Sequence, residues 1–328
     1  MAKTIYRITR ESWPIRGSFA ISRGAKTTAD VILVELTRDG VIGRGEGVPY
    51  RRYGETLDSA EEALSDLRDH VEEGLDRPEL QMLLSAGAAR NALDCALWDL
   101  NAKLSGIPVW QATGLPEQQP LITAYTISLG TPEAMGAAAR DAADRPLLKL
   151  KLDGGADLER VRAVREAAPK ARLIVDANEG WKPGQIEVFT PKLAELGVEL
   201  IEQPLPVGDD AILEEIDSAV PLCADESFHL ADDLEATARR YDAVNIKLDK
   251  TGGLTEALRL TEAARDMGLE IMVGCMVGTS LAMAPAALLG HAARYVDLDG
   301  PLLLQRDRTP GITYQGSILY PPPRTLWG

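Results

Sequence analysis

The segment LLKLKLD at residues 147–153 alternates leucine with charged residues. Because successive side chains of a strand point to opposite faces, the leucines at even positions share one face, and Lys149 and Lys151 share the other. The leucines predict packing beneath outer helices, which leaves both lysines pointing inward. A buried charge is costly unless it is paired or used. This strand therefore predicts a functional site inside the fold.

Short apolar segments of the same kind continue on both sides of residues 147–153, and helical patterns separate them. Repeated β-α units imply parallel strands with right-handed crossovers, and eight such units favour a closed barrel over an open sheet. We therefore predict an α/β fold with a barrel between about residues 121 and 300. Its predicted strands are LITAYTI, LLKLKL, RLIVDA, LIEQP, PLCADES, DAVNIKL, LEIMVGC and YVDLDG.

The N-terminal part has a different pattern. Residues 3–10 and 29–47 alternate in polarity, and Asp39-Gly40 between two strand-like runs predicts a hairpin turn. From Thr56 to about Leu104 the period becomes helical, and Gly106 ends it. We predict an α+β domain over 1–115 and the barrel over 116–304.

Three carboxylates, Asp176, Glu202 and Asp225, follow successive predicted strands about one β-α unit apart. They should stand side by side at the carboxyl end of the barrel, where catalytic groups of such barrels lie. A single Asp after a strand is often a helix cap, but three in consecutive units indicate a metal site. Hard oxygen ligands suit Mg²⁺. By strand parity, Lys247 in NIKLDK also faces inward, so lysines bracket the carboxylates.

Composition excludes several other classes of protein. The net charge of -15 over 328 residues argues against a nucleic-acid partner, whose phosphates it would repel. The GRGEG segment lies within the N-terminal strands and lacks the spacing and following helix of a dinucleotide site, so no NAD-type cofactor is expected. A small-molecule partner fits best, and neither nucleic acid nor a membrane is expected.

Cysteine and histidine usage supports the same interpretation. The three cysteines are far apart without a CxxC pair, which predicts buried thiols rather than disulfides or zinc. The three histidines do not cluster, and for His229 we expect a helix-start or surface role. The chain shows neither an apolar signal segment at its start nor a membrane-spanning run, and a soluble, cytoplasmic protein is expected. The cysteines are Cys95, Cys223 and Cys275, and the histidines are His70, His229 and His291.

These motifs together resemble the enolase superfamily, in its muconate-lactonizing subgroup, and within it the L-Ala-D/L-Glu (dipeptide) epimerases. The KxK of Lys149 and Lys151, the three carboxylates, and Lys247 followed by TGGLTEAL carry the resemblance, which runs nearly end to end. It implies a modified (β/α)7β TIM-type barrel with an α+β capping domain, which the C-terminal segment 305–328 completes.

The resemblance also implies chemistry. One Mg²⁺ per subunit would bind Asp176, Glu202 and Asp225, and the reaction would be a two-base 1,1-proton transfer through an enediolate. The metal stabilises that enediolate as negative charge develops. Lys151 and Lys247 are the expected bases on opposite faces of the substrate, and Lys149 is expected to assist.

The substrate expected from the resemblance is a dipeptide, epimerised at its C-terminal residue, most simply L-Ala-L-Glu to L-Ala-D-Glu in cell-wall peptide recycling. Asp297 and Asp299 in DLDG share a face by period 2, and in dipeptide epimerases a DxD here binds the substrate's ammonium group. Arg23 in ISRGAK resembles the specificity loop of enzymes that accept Glu, and Tyr50 and Tyr53 lie in a second predicted lid segment. For the neighbouring Arg51 and Arg52 a plain surface role is as good an explanation.

Four alternatives remain open from the sequence. An N-acylamino acid racemase or o-succinylbenzoate synthase, or a muconate-type cycloisomerase, would use the same metal and lysines. An inactive barrel that binds a metabolite belongs to another class, and the intact set of ligands and lysines argues against it. Members of this family often form oligomers, so a homo-oligomer is compatible with the resemblance.

Overall fold

The computed structural model describes residues 3–328, and its N-terminal part begins with a three-stranded antiparallel sheet. Asp39 and Gly40 join the second and third strands with backbone φ angles of 52° and 77°. Two successive left-handed residues are typical of the tight hairpin turn predicted from Asp-Gly, and the prediction is confirmed. The strands are β1 (Ile5–Ile21), β2 (Gly24–Arg38) and β3 (Val41–Gly47).

Five helices follow the sheet, and local capping residues set their ends. The Thr56 hydroxyl accepts a hydrogen bond from Ser59 N and starts the first helix. The long fourth helix ends at Gly106, whose φ of 75° is the left-handed conformation that stops a helix. The helices are α1 (Leu57–Asp66), α2 (Arg68–Glu73), α3 (Arg77–Leu83), α4 (Ala88–Ser105) and α5 (Val109–Ala112).

Eight parallel strands form the second part in simple sequence order. Thr123 bridges Val296 of the last strand in parallel register, and Ala124 N donates to Val296 O at 2.7 Å, so the sheet closes on itself. The predicted barrel is confirmed. After the short β4 (Leu121–Ile122), its strands are β5 (Tyr125–Ile127), β6 (Leu147–Lys151), β7 (Arg172–Asp176), β8 (Val198–Glu202), β9 (Leu222–Ala224), β10 (Ala243–Ile246), β11 (Glu270–Val273) and β12 (Tyr295–Val296).

Helices connect the barrel strands, as the sequence pattern predicts. The connections after β8, β9 and β11 include 3-10 turns at Asp210–Glu215, Ala231–Asp233 and Ala287–His291. None of the helices in residues 3–328 is long and apolar enough to cross a membrane. The α-helices are α6 (Pro132–Asp141), α7 (Asp157–Ala167), α8 (Pro183–Glu195), α9 (Leu234–Arg240), α10 (Leu248–Thr251), α11 (Leu254–Asp266), α12 (Ser280–Ala286) and α13 (Gly300–Leu303).

The barrel strands bury apolar side chains on both faces. On β6, Leu148 and Leu150 belong to the large outer core under the helices, as strand parity predicts. Inside the barrel, its amino end is filled by one side chain from each strand or from the residue preceding it. A charged layer is therefore left for the carboxyl end. The inner apolar layer consists of Ala124, Leu147, Ile174, Leu200, Cys223, Ala243, Met272 and Tyr295.

The segment LITAYTI does not form one barrel strand, in contrast to the prediction. Its first residues form β4, which pairs antiparallel with the C-terminal hairpin of β13 (Tyr314–Gln315) and β14 (Ile318–Leu319). Only the part from Thr123 through β5 joins the barrel, because Ala124 turns inward while Ile122 lies outside and remains 51% exposed. Alternating polarity predicts a strand, but it does not specify the neighbouring strand with which each half of the segment pairs.

The last residues return to the N-terminal part. Trp327 Nε1 donates to Cys95 O at 2.9 Å, and Gly328 N donates to Asp99 at 2.7 Å, both on α4. These contacts support our proposal that residues 305–328 complete the capping domain formed by residues 1–115.

Candidate active site

The predicted charged residues meet at the carboxyl end of the barrel. Lys151 on β6 lies in register with Asp176 on β7, which lies in register with Glu202 on β8. Asp225 and Lys247 follow β9 and β10 directly. All five are buried. The structure therefore brings together side chains that the sequence spacing predicts to be neighbours.

Lysines and carboxylates alternate around the first half of this site. Lys151 Nζ donates to Asp176 Oδ2 at 2.6 Å. Lys149 Nζ lies 3.3 Å from the same oxygen and 2.6 Å from Glu202 Oε2, and it donates to Asp297 Oδ2 at 2.7 Å. Because each buried charge has a partner of opposite sign, the cost of removing it from water is offset.

The alternation continues to the other side of the barrel. Lys247 Nζ donates to Asp225 Oδ2 at 2.6 Å and lies 3.7 Å from Glu202 Oε1. Asn245 Nδ2 donates to that Glu202 oxygen at 2.7 Å. Lys250 Nζ donates to Asp225 Oδ1 at 2.6 Å, so the Asp225 carboxylate accepts from two ammonium groups.

The electrostatics of the site follow from this packing. Burial opposes the charge on Lys149 and Lys247, but the facing carboxylates outweigh it and raise the pKa of both well above the usual lysine value. Burial likewise opposes ionisation of Asp225, yet Lys247 and Lys250 hold its pKa well below the usual range. Burial, reinforced by the neighbouring carboxylates, raises the pKa of Glu202.

Asp176, Glu202 and Asp225 offer only oxygen donors to a metal ion. Within residues 3–328, no three acidic, His or Cys side chains are spaced to hold a metal ion, and ammonium groups lie between the carboxylates. In the same part of the chain, Glu202 Oε2 has no hydrogen-bond partner, since its 2.6 Å contact with Lys149 lacks hydrogen-bond geometry. A buried carboxylate oxygen without a hydrogen-bond donor, next to two further carboxylates, fits a hard cation such as Mg²⁺. The ligand assignment stays a prediction.

Asp297 and Asp299 lie on the far side of Lys149, just after β12. Both are buried, and Asp299 accepts a hydrogen bond from Thr126 N at 2.7 Å. In the described part of the chain, Asp297 Oδ1 has no hydrogen-bond partner. Burial and the charge of Asp297 raise the pKa of Asp299 to about 7. The two carboxylates thus share one ammonium partner, Lys149 on Asp297 Oδ2, and keep an acceptor oxygen free in the described part of the chain.

Arg23, from the capping part, reaches over the barrel end. It donates to Asn178 O at 2.8 Å, Glu179 Oε2 at 2.9 Å, the Tyr50 hydroxyl at 3.1 Å and Glu226 Oε1 at 2.5 Å. Arg52, for which we considered a surface role, makes a bidentate ion pair with Glu179 at 2.8 and 2.7 Å. The predicted lid residues therefore contact the barrel through carboxylates.

Aromatic rings complete this lid. Tyr53 packs edge-on against Tyr50, with ring centroids 5.3 Å apart, and against His229, 4.4 Å away. His229 lies two residues before the 3-10 turn Ala231–Asp233, and its backbone N donates to Asp233 Oδ2 at 2.8 Å, as expected for a residue at a helix start. Its ring packs against Tyr53, and burial lowers its pKa to about 4. Phe19 lies over Lys151, with the ammonium group 5.8 Å from the ring centroid.

Sequence reasoning missed three residues of this site, Glu179, Glu226 and Lys250. Glu226 follows Asp225 directly and Lys250 lies one helical turn after Lys247, so adjacent charge was an available signal. Glu179 had none, because its role depends on contacts with residues far away in the chain. Of the cysteines, Cys95 and Cys223 are buried as predicted, while Cys275 is only partly buried.

Residues 3–114 match the mandelate racemase / muconate lactonizing enzyme N-terminal domain, and residues 134–320 match the enolase C-terminal domain-like family. The chain belongs to this family, the mandelate racemase and muconate lactonizing branch of the enolase superfamily. The resemblance inferred from the motifs is confirmed.

Within the family the chain groups with the amino acid epimerases and racemases. It is 46% identical over 316 residues to an L-Ala-D/L-Glu epimerase of Escherichia coli, covering 96% of this chain and 98% of that one. It is also 46% identical over 301 residues to an N-acetyl-D-glutamate racemase of Pseudoalteromonas, covering 91% and 95%.

Solved structures show the same grouping. An Agrobacterium tumefaciens enolase-family protein with homology to dipeptide epimerases, solved with sodium and L-Ala-L-Glu, superposes with a TM-score of 0.97 and 52% identity, covering 99% of this chain and 100% of that one. An Enterococcus faecalis dipeptide epimerase, solved with Mg and L-Leu-L-Tyr, has a TM-score of 0.89 and 29% identity over 98% and 97%.

Proposed function

We propose that this protein epimerises the dipeptide L-Ala-L-Glu at its C-terminal residue, giving L-Ala-D-Glu, and that Mg²⁺ is its metal. One observation carries the proposal. Lys151 and Lys247 stand on β6 and at the end of β10, four strands apart in an eight-stranded closed barrel, so their ammonium groups come from opposite walls. Inverting a carbon needs proton removal on one face and proton delivery on the other.

The lysines would exchange one proton each with the substrate. One lysine, in its neutral form, takes the α-proton and becomes an ammonium group, while the electron pair moves into the adjacent carboxylate. The other lysine, protonated at the start, delivers a proton to the opposite face and becomes neutral. Lys149, which is buried against Asp297, Glu202 and Asp176, supplies positive charge near the developing enediolate.

Asp176, Glu202 and Asp225 would hold the metal. When bound, Mg²⁺ supplies Lewis-acid stabilisation of the negative charge that develops on the substrate carboxylate. The same three side chains keep the lysines in place, since each accepts from or lies close to at least one ammonium group.

The Asp297 and Asp299 pair favours a free dipeptide over an N-acylated amino acid. Within residues 3–328, Lys149 pairs with Asp297 Oδ2, but Asp297 Oδ1 has no hydrogen-bond partner. A peptide ammonium group would supply both a donor for this oxygen and a positive charge for the two buried carboxylates. An acetyl amide offers one N–H and no charge. Racemisation of N-acetylglutamate is nevertheless the second candidate, because one of the similar proteins is an N-acetyl-D-glutamate racemase.

Proton NMR in D₂O with purified protein, MgCl₂ and L-Ala-L-Glu tests the proposal. We expect loss of the Glu α-proton signal and appearance of L-Ala-D-Glu. Absence of both with this dipeptide and with other dipeptides, together with turnover of N-acetyl-L-glutamate, would replace it with the racemase function.

Substitution of Asp299 separates the two candidates. Asp299→Asn keeps the acceptor for Thr126 N but removes a charge, so we expect kcat/KM for L-Ala-L-Glu to fall about 10- to 100-fold. Any turnover of N-acetylglutamate should change much less. An equal loss on both substrates would contradict the assigned ammonium site.

A further inference from the structure

One carboxylate of the barrel joins the two lid segments, residues 19–26 and 50–54. Glu179 accepts from Arg52 Nε at 2.8 Å, Arg52 Nη2 at 2.7 Å and Arg23 Nη1 at 2.9 Å. It also accepts from the backbone of Val207 at 3.0 Å. Its side chain is 8% exposed. Four donors on one nearly buried carboxylate make a rigid junction between the lid and two barrel loops.

The backbone at Asn178 and Glu179 has an unusual conformation that contributes to this junction. Asn178 and Glu179 have φ angles of 45° and 66°, in the left-handed region that non-glycine residues rarely adopt. Such a conformation is strained and persists where surrounding contacts enforce it. It turns the Asn178 carbonyl oxygen toward Arg23 Nη1, at 2.8 Å, beside the Glu179 carboxylate. The Asn178 carbonyl oxygen and the Glu179 carboxylate therefore both accept hydrogen bonds from the Arg23 guanidinium group.

Arg23 is thereby fixed on two sides. Its Nη1 is held by the loop of Glu179, and its Nη2 contacts Glu226 at 2.5 Å, next to the Asp225 that pairs with Lys247. A guanidinium group on a long side chain loses rotamer freedom when it is fixed. Contacts made before substrate arrives reduce that cost at binding.

We infer that Glu179 is a positioning residue for substrate specificity: with Arg52 it latches the lid and holds Arg23 where an acidic side chain of the substrate's second residue is recognised. This inference rests on the proposed function. Glu179 acts through Arg23, so it should contribute little to the binding of a substrate without an acidic side chain.

Steady-state kinetics of Glu179→Gln with two dipeptides test the latch. Loss of a charge-assisted contact to Arg23 should raise KM for L-Ala-L-Glu about tenfold or more, with kcat changed less than about threefold. For L-Ala-L-Leu both constants should stay within about threefold. A KM increase of equal size on both substrates would overturn the inference.

A double-mutant cycle shows whether Glu179 works through Arg23. In an Arg23→Met background, adding Glu179→Gln should cause no further loss with L-Ala-L-Glu. Additive losses would contradict positioning, because they would mean that the two residues act independently. The matched control is Glu199→Gln, which breaks another Arg–Glu pair, Arg172 with Glu199 at 2.7 Å, at the opposite end of β7 and β8. It should leave KM unchanged for both dipeptides.

Hydrogen–deuterium exchange reports on the latch without catalysis. Glu179→Gln and Arg52→Gln should speed amide exchange in residues 19–26 and 50–54 about tenfold, whereas Glu199→Gln should not. Unchanged exchange in both lid segments would overturn the latch. If the wild-type protein turned over no dipeptide while Glu179→Gln still loosened the lid, the latch would stand and the proposed function would fail.

Discussion

At the scale of single residues, the site is an alternating series of lysines and carboxylates. Its four lysines are buried, and each Nζ lies 2.6 Å from a carboxylate oxygen of Asp176, Glu202 or Asp225. Such pairs are costly to bury and very sensitive to removal of one partner. Substitutions of these lysines are therefore best followed by a measurement of proton exchange, which distinguishes a lost proton transfer from a loss of folding.

Lys247→Ala should lower the rate of epimerisation by about 10²–10⁴-fold, because one face of the substrate loses its proton carrier. Lys151 remains on the other wall. We therefore expect one epimer of Ala-Glu still to exchange its α-proton with D₂O, as followed by proton NMR. Near wild-type epimerisation would contradict the two-base scheme. Lys170→Ala, at an exposed lysine, serves as the control and should have no effect.

Arg23→Met removes the guanidinium group and keeps an apolar side chain of similar length. We expect kcat/KM for L-Ala-L-Glu to fall far more than for L-Ala-L-Leu, by about 100-fold against less than about threefold, because only the first substrate has an acidic side chain. Competition between the two dipeptides in one tube, followed by NMR, measures the ratio directly. Equal loss of both would remove the specificity argument.

At the scale of elements, the GRGEG segment shows what glycine does in β3. Gly43, Gly45 and Gly47 face α4, and a Cβ on Gly45 would overlap the carbonyl oxygen of Ala92. The strand lies directly on the helix backbone. The glycines that do not fit a dinucleotide site therefore have a packing role, which sets the distance between the sheet and α4.

Gly45→Ala should accordingly lower the free energy of unfolding by at least about 2 kcal/mol, since backbone on both sides must move. Gly184→Ala, in the first turn of α8, is the matched control, because a Cβ there meets nothing within 4 Å. It should be neutral or stabilise by under about 1 kcal/mol. Urea unfolding followed by circular dichroism measures both, and equal stability of the two variants would contradict the packing role.

Most elements could be predicted from the sequence because their signals are local. The Asp39-Gly40 hairpin, the cap at Thr56 and the Gly106 stop each depend on a few neighbouring residues. The division of LITAYTI into β4 and β5 could not be predicted. It depends on the distant strand β14, whose pairing with β4 leaves no trace in local alternation.

At the scale of the whole molecule, buried polar groups connect the N-terminal part with the barrel. Arg90 on α4 donates to Thr251 O at 2.7 Å and to Gly252 O at 3.1 Å, at the C-terminal end of α10. Asp249 accepts from Val48 N at 2.9 Å and Asn91 Nδ2 at 2.8 Å. These contacts keep the lid segments over the barrel end, so folding of the two parts is coupled.

The pH dependence of stability should reveal one of these groups. Asp94 on α4 is fully buried and accepts from Thr255 N at 3.0 Å and Gln81 Nε2 at 3.3 Å. Burial raises its pKa to about 6, although Arg77 and Arg90 oppose the shift. The folded state therefore holds this proton more tightly than the unfolded state, and stability is lost as pH rises from about 4 to about 6.

In Asp94→Asn this titration is absent. Between pH 4 and pH 7, the free energy of unfolding of the wild type should fall relative to that of Asp94→Asn by roughly 2–3 kcal/mol, measured by urea titrations at several pH values. Asp217→Asn, at an exposed position, should run parallel to the wild type. Parallel curves for Asp94→Asn as well would contradict the assignment.

The sequence by itself determined which side chains enter the barrel. Strand parity and the spacing of β-α units place Lys149, Lys151 and the three carboxylates together, because both are properties of neighbouring residues along one chain. Tertiary structure alone decided which barrel residue holds the predicted lid segments: Glu179 meets Arg23 and Arg52 across 156 and 127 residues of sequence. Such contacts form only when two separately encoded parts pack against each other, and no local pattern specifies which surfaces will meet.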